Sequence, residues 1–442
     1  MIKPEDVRAA ELEAEAEHYF TKCEFHDALR CLQQAITIRK ENGDWSGAGN
    51  CAQNVGFLRF VVADHAGAIR SYEEALEFRK RTNDLRGQGV TSGRMAEVFQ
   101  QIGEHAKAVG WLESALQYFV RTNASREIST ILNNMAVSYR EMGAADKAQQ
   151  CYERSLEIRR QIGDFDGLAA TLLNLSVLYI DKSRYDRAQS LLEEARDLRK
   201  EIGDNRGLGR IALHQGMLHE EQGDNSSAIE CYEDALNLAK TEESIQSGID
   251  EATVLLNLAD VLSNQGKVDS SLAKLDVAEK LFFEAGLIPG IAMTYYGRGR
   301  TLAAAGRSTE ALACFKVAKS HFEKINDRPR LISVGIAIGN ILSSCRQHRE
   351  ARDEFVSALV LQQQLSRPQD EVITQQLIRR ECAALGDETG AWSTVTVAID
   401  RPGQAIADSE FDGVAIDHIA NIRAGDCSMP DAEPPVGPYS LH

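Results

Sequence analysis

The chain has 442 residues, of which 43% are hydrophobic and 6% aromatic, and carries a formal net charge of −17. An acidic surplus of this size argues against nucleic acid as a partner, because that needs a clustered basic face. No apolar run approaches the roughly 18 residues of a membrane span, and the acidic start MIKPEDVRAAELEAEAEHYF lacks the apolar core of a signal peptide, so the expectation is a cytoplasmic protein that binds neither membrane nor nucleic acid.

The dominant feature is a small residue that returns at Ala35, Ala75, Ala115, Ser155, Ala195, Ala235, Ala278, Ala318 and Ala358, with seven intervals of 40 residues and one of 43. A second column runs seven positions earlier, from Ala28 through Ala68, Ala108, Ala148, Ala188, Ala228, Ser271 and Ala311 to Ala351. A sustained period of this length indicates a solenoid, in which each unit buries its apolar face only against its neighbours. The expected fold is an all-α right-handed superhelix of about nine helix-turn-helix units over residues 1–368, with a capping helix at 369–390.

In chain order, unit 1 (about 5–44) is atypical, and Glu11, Glu13, Glu15 and Glu17 give it the polar outer side of a cap. Units 2 to 6 are regular. In unit 4, STILNNMAVSYREMGAADKAQQCYERSLEIRRQIGD, apolar residues recur at helical spacing on both sides of Gly143. That is two amphipathic helices, A and B, crossing at small residues where a larger side chain would hold the backbones apart. The A–B turn carries Gly103, Gly143, Gly223, Gly266 and Gly306, with Ser183 as the exception. Helix B ends at Gly43, Asn83, Asn123, Gly163, Gly203, Gly286 and Asn326, the residue types that enter the left-handed conformation most easily. Asp44, Asp84, Asp164, Asp204 and Asp327 follow, placed to cap the next helix.

The 43-residue interval comes from TEESIQSGIDE, expected as a loop lengthened by three residues. Units 7 to 9 are more degenerate, with Ser271 for alanine and Arg346 for the turn glycine. After Pro368, DEVITQQLIRRECAAL reads as one amphipathic helix; residues 391–442, proline-rich at their end, are expected to be an irregular, disordered tail. Four cysteines (Cys31, Cys151, Cys231, Cys314) share one repeat register, which marks a half-buried helical position rather than a metal or disulfide site.

The small-residue triplets Gly56/Ala68/Ala75, Ala96/Ala108/Ala115, Ala136/Ala148/Ser155 and Ser176/Ala188/Ala195 resemble the tetratricopeptide pattern. The 40-residue unit and the runs NNMAVSY and LNLSVLY resemble the long-repeat subclass of the Pins/Leu-Gly-Asn adaptors and kinesin light chains. The resemblance implies a superhelix whose A helices line a concave groove for a peptide or partner protein.

Two residues before the small position of helix A stand Asn54, Arg94, Asn134, Asn174, His214 and Asn257. Asparagine is a poor mid-helix residue, so its recurrence needs a cause. One reading is functional: its amide offers both donor and acceptor to the backbone of an extended peptide. The other is structural, with each asparagine serving the backbone or helix beside it. Arg140, Arg210, Arg298 and Arg300 lie in neighbouring columns, with Asn133 and Asn340 as weaker additions; turned inward, the arginines could select an acidic peptide. The resemblance adds that an Arg or Asn in the asparagine column holds an acidic group in carboxylate-clamp relatives. GxxxxGK[ST], GxSxG and HExxH do not occur, so neither catalytic residues, metal ligands nor a cofactor are assigned. The expected function is a non-enzymatic adaptor or scaffold; the alternative is a signal-responsive regulator whose array controls an effector.

Overall fold

A computed structural model describes residues 4–22, 24–240, 244–365 and 368–386 of the chain. In order the helices are α1 (Pro4–Thr21), α2 (Phe25–Glu41), α3 (Trp45–Val61), α4 (His65–Arg81), α5 (Leu85–Gln101), α6 (His105–Arg121), α7 (Ser125–Glu141), α8 (Ala145–Ile162), α9 (Phe165–Asp181), α10 (Tyr185–Glu201), α11 (Asn205–Glu221), α12 (Asn225–Ala239), α13 (Ile245–Asn264), α14 (Val268–Glu284), α15 (Ile288–Ala304), α16 (Ser308–Lys324), α17 (Arg328–Ser344), α18 (His348–Gln364) and α19 (Pro368–Ala384). Each odd-numbered helix to α17 is the A helix of a pair and packs on the B helix that follows it, while α19 covers α18.

The small-residue columns sit where the periodicity predicts. Every member of the Ala28 column is fully buried, and the Ala35 column is 0–1% exposed. At the third small position the fit is equally close: a Cβ on Gly56 would lie 2.5 Å from Cε1 of Tyr72. Both punctuation columns are left-handed. The A–B turn has φ of 80° at Gly103 and 53° at Ser183, and the B-helix ends have 76° at Gly43 and 52° at Asn83. Asp44, Asp84, Asp164 and Asp204 each accept the backbone N–H of the glycine three residues on, capping α3, α5, α9 and α11.

The connection between units 6 and 7 differs from the expected loop. Its later part is helical, so α13 starts at Ile245 and runs for 20 residues against 17 in α11 and α15. The amphipathic pattern of IQSGID lets the extra residues extend the helix by about a turn. The expected capping helix is α19; the tail at 391–442 lies outside the described residues.

A helices of successive pairs also meet directly, from α7 through α17 and between α3 and α5, whereas B helices do not do so comparably. The array therefore bends with its A helices on the inner face. The bend is tight enough to complete a turn: Nε2 of His65, at the start of α4, lies 3.1 Å from the carbonyl oxygen of Ile325, just after α16.

Candidate functional site

The inner face is held in shape by a brace that recurs with the repeat. Arg39, Arg79, Arg159 and Arg199 stand five residues before the capping aspartates, and each pairs with its own: Arg39 with Asp44 at 2.5 Å, Arg159 with Asp164 at 3.2 Å, Arg199 with Asp204 at 2.8 Å, Arg79 with Asp84 at 3.9 Å. Arg159 also donates to Ser155 Oγ on α8 and Thr130 Oγ1 on α7, so one guanidinium ties α7, α8 and the start of α9 together. The same 40-residue spacing makes this column visible in the sequence, once the aspartates are known to be caps. The arginine is replaced by Phe119 in unit 3 and by Ala239, Phe282, Phe322 and Gln362 in units 6 to 9.

On that frame Asn54, Arg94, Asn134, Asn174, His214 and Asn257 form a row along successive A helices; Asn54 is exposed and the others are half-buried. Some of their polar capacity is spent within the array. The Asn174 amide nitrogen donates to Asn133 Oδ1 of α7 at 3.1 Å, and that of Asn257 donates to the Thr253 carbonyl of its own helix at 3.0 Å. Gln100 of α5 reaches the Asn134 carbonyl at 2.9 Å. The acceptor oxygens of Asn174 and Asn257 have no partner among the described residues. Both readings of the column thus have a physical basis: the Asn174 nitrogen joins two helices and that of Asn257 serves its own helix, while the oxygens of these two stay available.

The arginines divide. Arg94 pairs with Glu97 at 2.8 Å and lies over the Phe57 ring. Arg140 pairs with Glu141 at 2.8 Å and lies 3.8 Å from Asp181 of α9, and Arg300 pairs with Asp260 of α13 at 2.9 Å. Arg298 stands apart from the row. It occupies the register of the buried Val55, Met95, Met135 and Leu175 and turns to Asp276 and Glu279 of α14, at 2.8 and 2.7 Å. Arg210 alone of the five has no ion pair or hydrogen bond among the described residues. Burial pushes its guanidinium below the ordinary value, and the charges of Arg206 and Arg199 add to that. Neighbouring Asp250 and Asp204 oppose the shift but are bonded to Arg206 and Arg199.

Near the C-terminal ends of the A helices the inner face is acidic. Burial raises the carboxyls of Glu220 and Asp260 above the usual range; Asp260 and Glu221 push Glu220 further up, while the Tyr232 hydroxyl, 3.0 Å away, and Arg300 counteract it. A carboxyl with a raised folded-state value contributes its full stability below the unfolded carboxylate range and loses it as pH rises through the folded value. Glu220→Gln, which keeps an acceptor for Tyr232, is therefore expected to raise the melting temperature at pH 7 and leave it unchanged near about pH 3, below the ordinary glutamate value. Thermal melts at the two pH values check this, and an equal shift at both would refute it.

This geometry defines a helical-repeat solenoid with a polar inner face. A model described as tetratricopeptide repeat matches residues 87–161, 127–201 and 167–241, and a second of the same description matches 256–324. Together they span just over half of the 442 residues; the chain belongs to the tetratricopeptide-repeat family. No curated protein matches the sequence. Among solved structures, a Rap protein complexed with competence and sporulation factor aligns with a TM-score of 0.54 at 11% identity, covering 82% of this chain and 99% of that one. The apo form of RapI gives 0.51 at 14%, covering 62% and 97%, and the apo quorum sensor NprR from B. thuringiensis gives 0.50 at 16%, covering 73% and 89%. At these identities the likeness is one of fold. No described helix is long and apolar enough to cross a membrane.

Proposed function

We propose that the protein is a non-enzymatic adaptor that holds an extended peptide, or an extended segment of a partner protein, along the inner face of its array. The observation that carries this is Arg210. Arg210 is half-buried, and a guanidinium drawn partly out of water with no acceptor in its own chain is a ready partner for an incoming carboxylate. A carboxylate of the bound chain would supply that acceptor, with Asn174 and Asn257 offering acceptor oxygens to backbone N–H groups nearby. The 40-residue unit, resembling that of the Pins/Leu-Gly-Asn adaptors and kinesin light chains, supports the same reading. A second reading, a peptide-responsive regulator, draws on the shared fold of the Rap protein solved with competence and sporulation factor and of the quorum sensor NprR.

The test uses the full chain and a pool of random dodecapeptides. Arg210→Met is expected to weaken the retained peptides by about 30-fold or more, as loss of one partner of a desolvated charge pair does. The same change should leave the melting temperature unchanged or raised, since a half-buried charge with no partner in the chain has been removed. Unaltered affinity together with a lower melting temperature would show that Arg210 serves the fold instead.

A further inference from the structure

The bend of the array makes a contact that the repeat itself does not require. The A–B turns of units 2 and 3 meet the far side of the superhelical turn. Glu104 pairs with Arg328 of α17 at 3.1 Å, across 224 residues of sequence, and His65 bonds the Ile325 carbonyl. A Cβ on Gly103 would lie 2.8 Å from Cγ of Pro329 and 3.4 Å from Cδ1 of Leu365. Ala63, in the α3–α4 turn, packs on the core of units 8 and 9.

Comparison along the repeat register shows that these positions are special. Gly223, Gly266 and Gly306 hold the same place in their own A–B turns, and a Cβ on any of them would meet nothing within 4 Å. The residue that starts each B helix is half-buried in every other pair, but His65 and His105 are 9% exposed. Two consecutive turns are thus covered where the others are open. The contact is mixed, two polar pairs beside the approach of Gly103 to Pro329 and Leu365 and of Ala63 to the core, and the Glu104–Arg328 pair keeps 16% and 28% of its side chains exposed. Partly exposed ion pairs contribute little, so such a closure is weak enough to open and reclose.

We propose that these groups form a clasp, a reversible closure of the superhelical turn that fixes the curvature of the inner helix layer. The row from Arg94 to Asn257 lies within the closed turn, so opening the clasp changes the spacing of the helices that carry it. Any ligand spanning those helices shifts the clasp equilibrium by its preference for one curvature, and the clasp shifts ligand affinity by the same factor.

The clasp is tested without any ligand, so its outcome is independent of whether the groove binds a peptide. Gly103→Asn and Gly223→Asn impose the same left-handed backbone demand, at φ of 80° and 78°, but only the first places a side chain in the clasp. Small-angle scattering of the full chain should show a larger radius of gyration for Gly103→Asn and no change for Gly223→Asn. Amide exchange at residues 324–330 should quicken several-fold in the first variant alone. Glu104→Arg and Arg328→Glu should each open the clasp, and the two together should restore both readouts; this series decides the matter if Gly103→Asn fails to fold. Indistinguishable glycine variants that both fold, or a charge swap no better than either single reversal, would overturn the proposal.

Discussion

Replacing Arg159 with leucine is expected to destabilise the middle of the array by roughly 3–5 kcal/mol, the range seen when one partner of a buried ion pair is removed. Arg159 is 6% exposed and Asp164 9%. Without the guanidinium, Asp164 keeps only its 3.3 Å bond from the Gly167 N–H, and Thr130 and Ser155 lose the donor they share. Adding Asp164→Asn should recover part of the loss, because asparagine still caps α9 and no charge stays buried. A repeat array need not unfold in one step, so the readout is amide exchange in α7, α8 and α9. Exchange there should quicken well beyond that in α15 to α18. A single variant no worse than the double would show that the pair is not the source of the stability.

Gly56→Leu and Gly110→Leu are expected to move stability in opposite directions. Both glycines are helical, yet a Cβ on Gly56 meets the Tyr72 ring at 2.5 Å, while one on Gly110 meets nothing within 4 Å. Tyr72 is 1% exposed and cannot swing away. Overpacking of this kind costs roughly 1–3 kcal/mol, whereas leucine for glycine on an open helix surface gains on the order of 0.5–1 kcal/mol from propensity. Denaturant midpoints of the two variants check this; shifts of the same sign would mean that the third small position is not where helices A and B cross.

Why the fold was legible and the site less so follows from what repetition reveals. The columns at Ala28, Ala35, Gly43 and Asp44 each recur because one physical demand recurs: close helix crossing, a left-handed turn, a capped start. The Arg39 column holds only in units 1, 2, 4 and 5, and a basic residue near a helix end reads as an ordinary dipole contact until its aspartate is seen five residues on. Arg298 shows how register and residue type can point different ways. Its type suggested the groove, but its register is that of buried Val55 and Met95, and register decides which face a residue takes. The carboxylates opposite Arg140 and Arg300 were missed for a different reason. They come from neighbouring units, so pairing across 40 residues cancels charges that look free along the chain. The contact of His65 with Ile325 has no local signature, since it depends on the accumulated bend of all the units between.

The central claim is that ligands lie along the inner row, and the most direct measurement is where a bound peptide touches the chain. A photoreactive benzoylphenylalanine can replace Val137, one turn beyond Asn134 on the inner side of α7, or Glu153, exposed on α8. With a dodecapeptide retained by the wild-type chain, irradiation should give an adduct from position 137, absent in the Arg210→Met background, and none from position 153. Capture from position 153, or from 137 regardless of Arg210, would contradict the account.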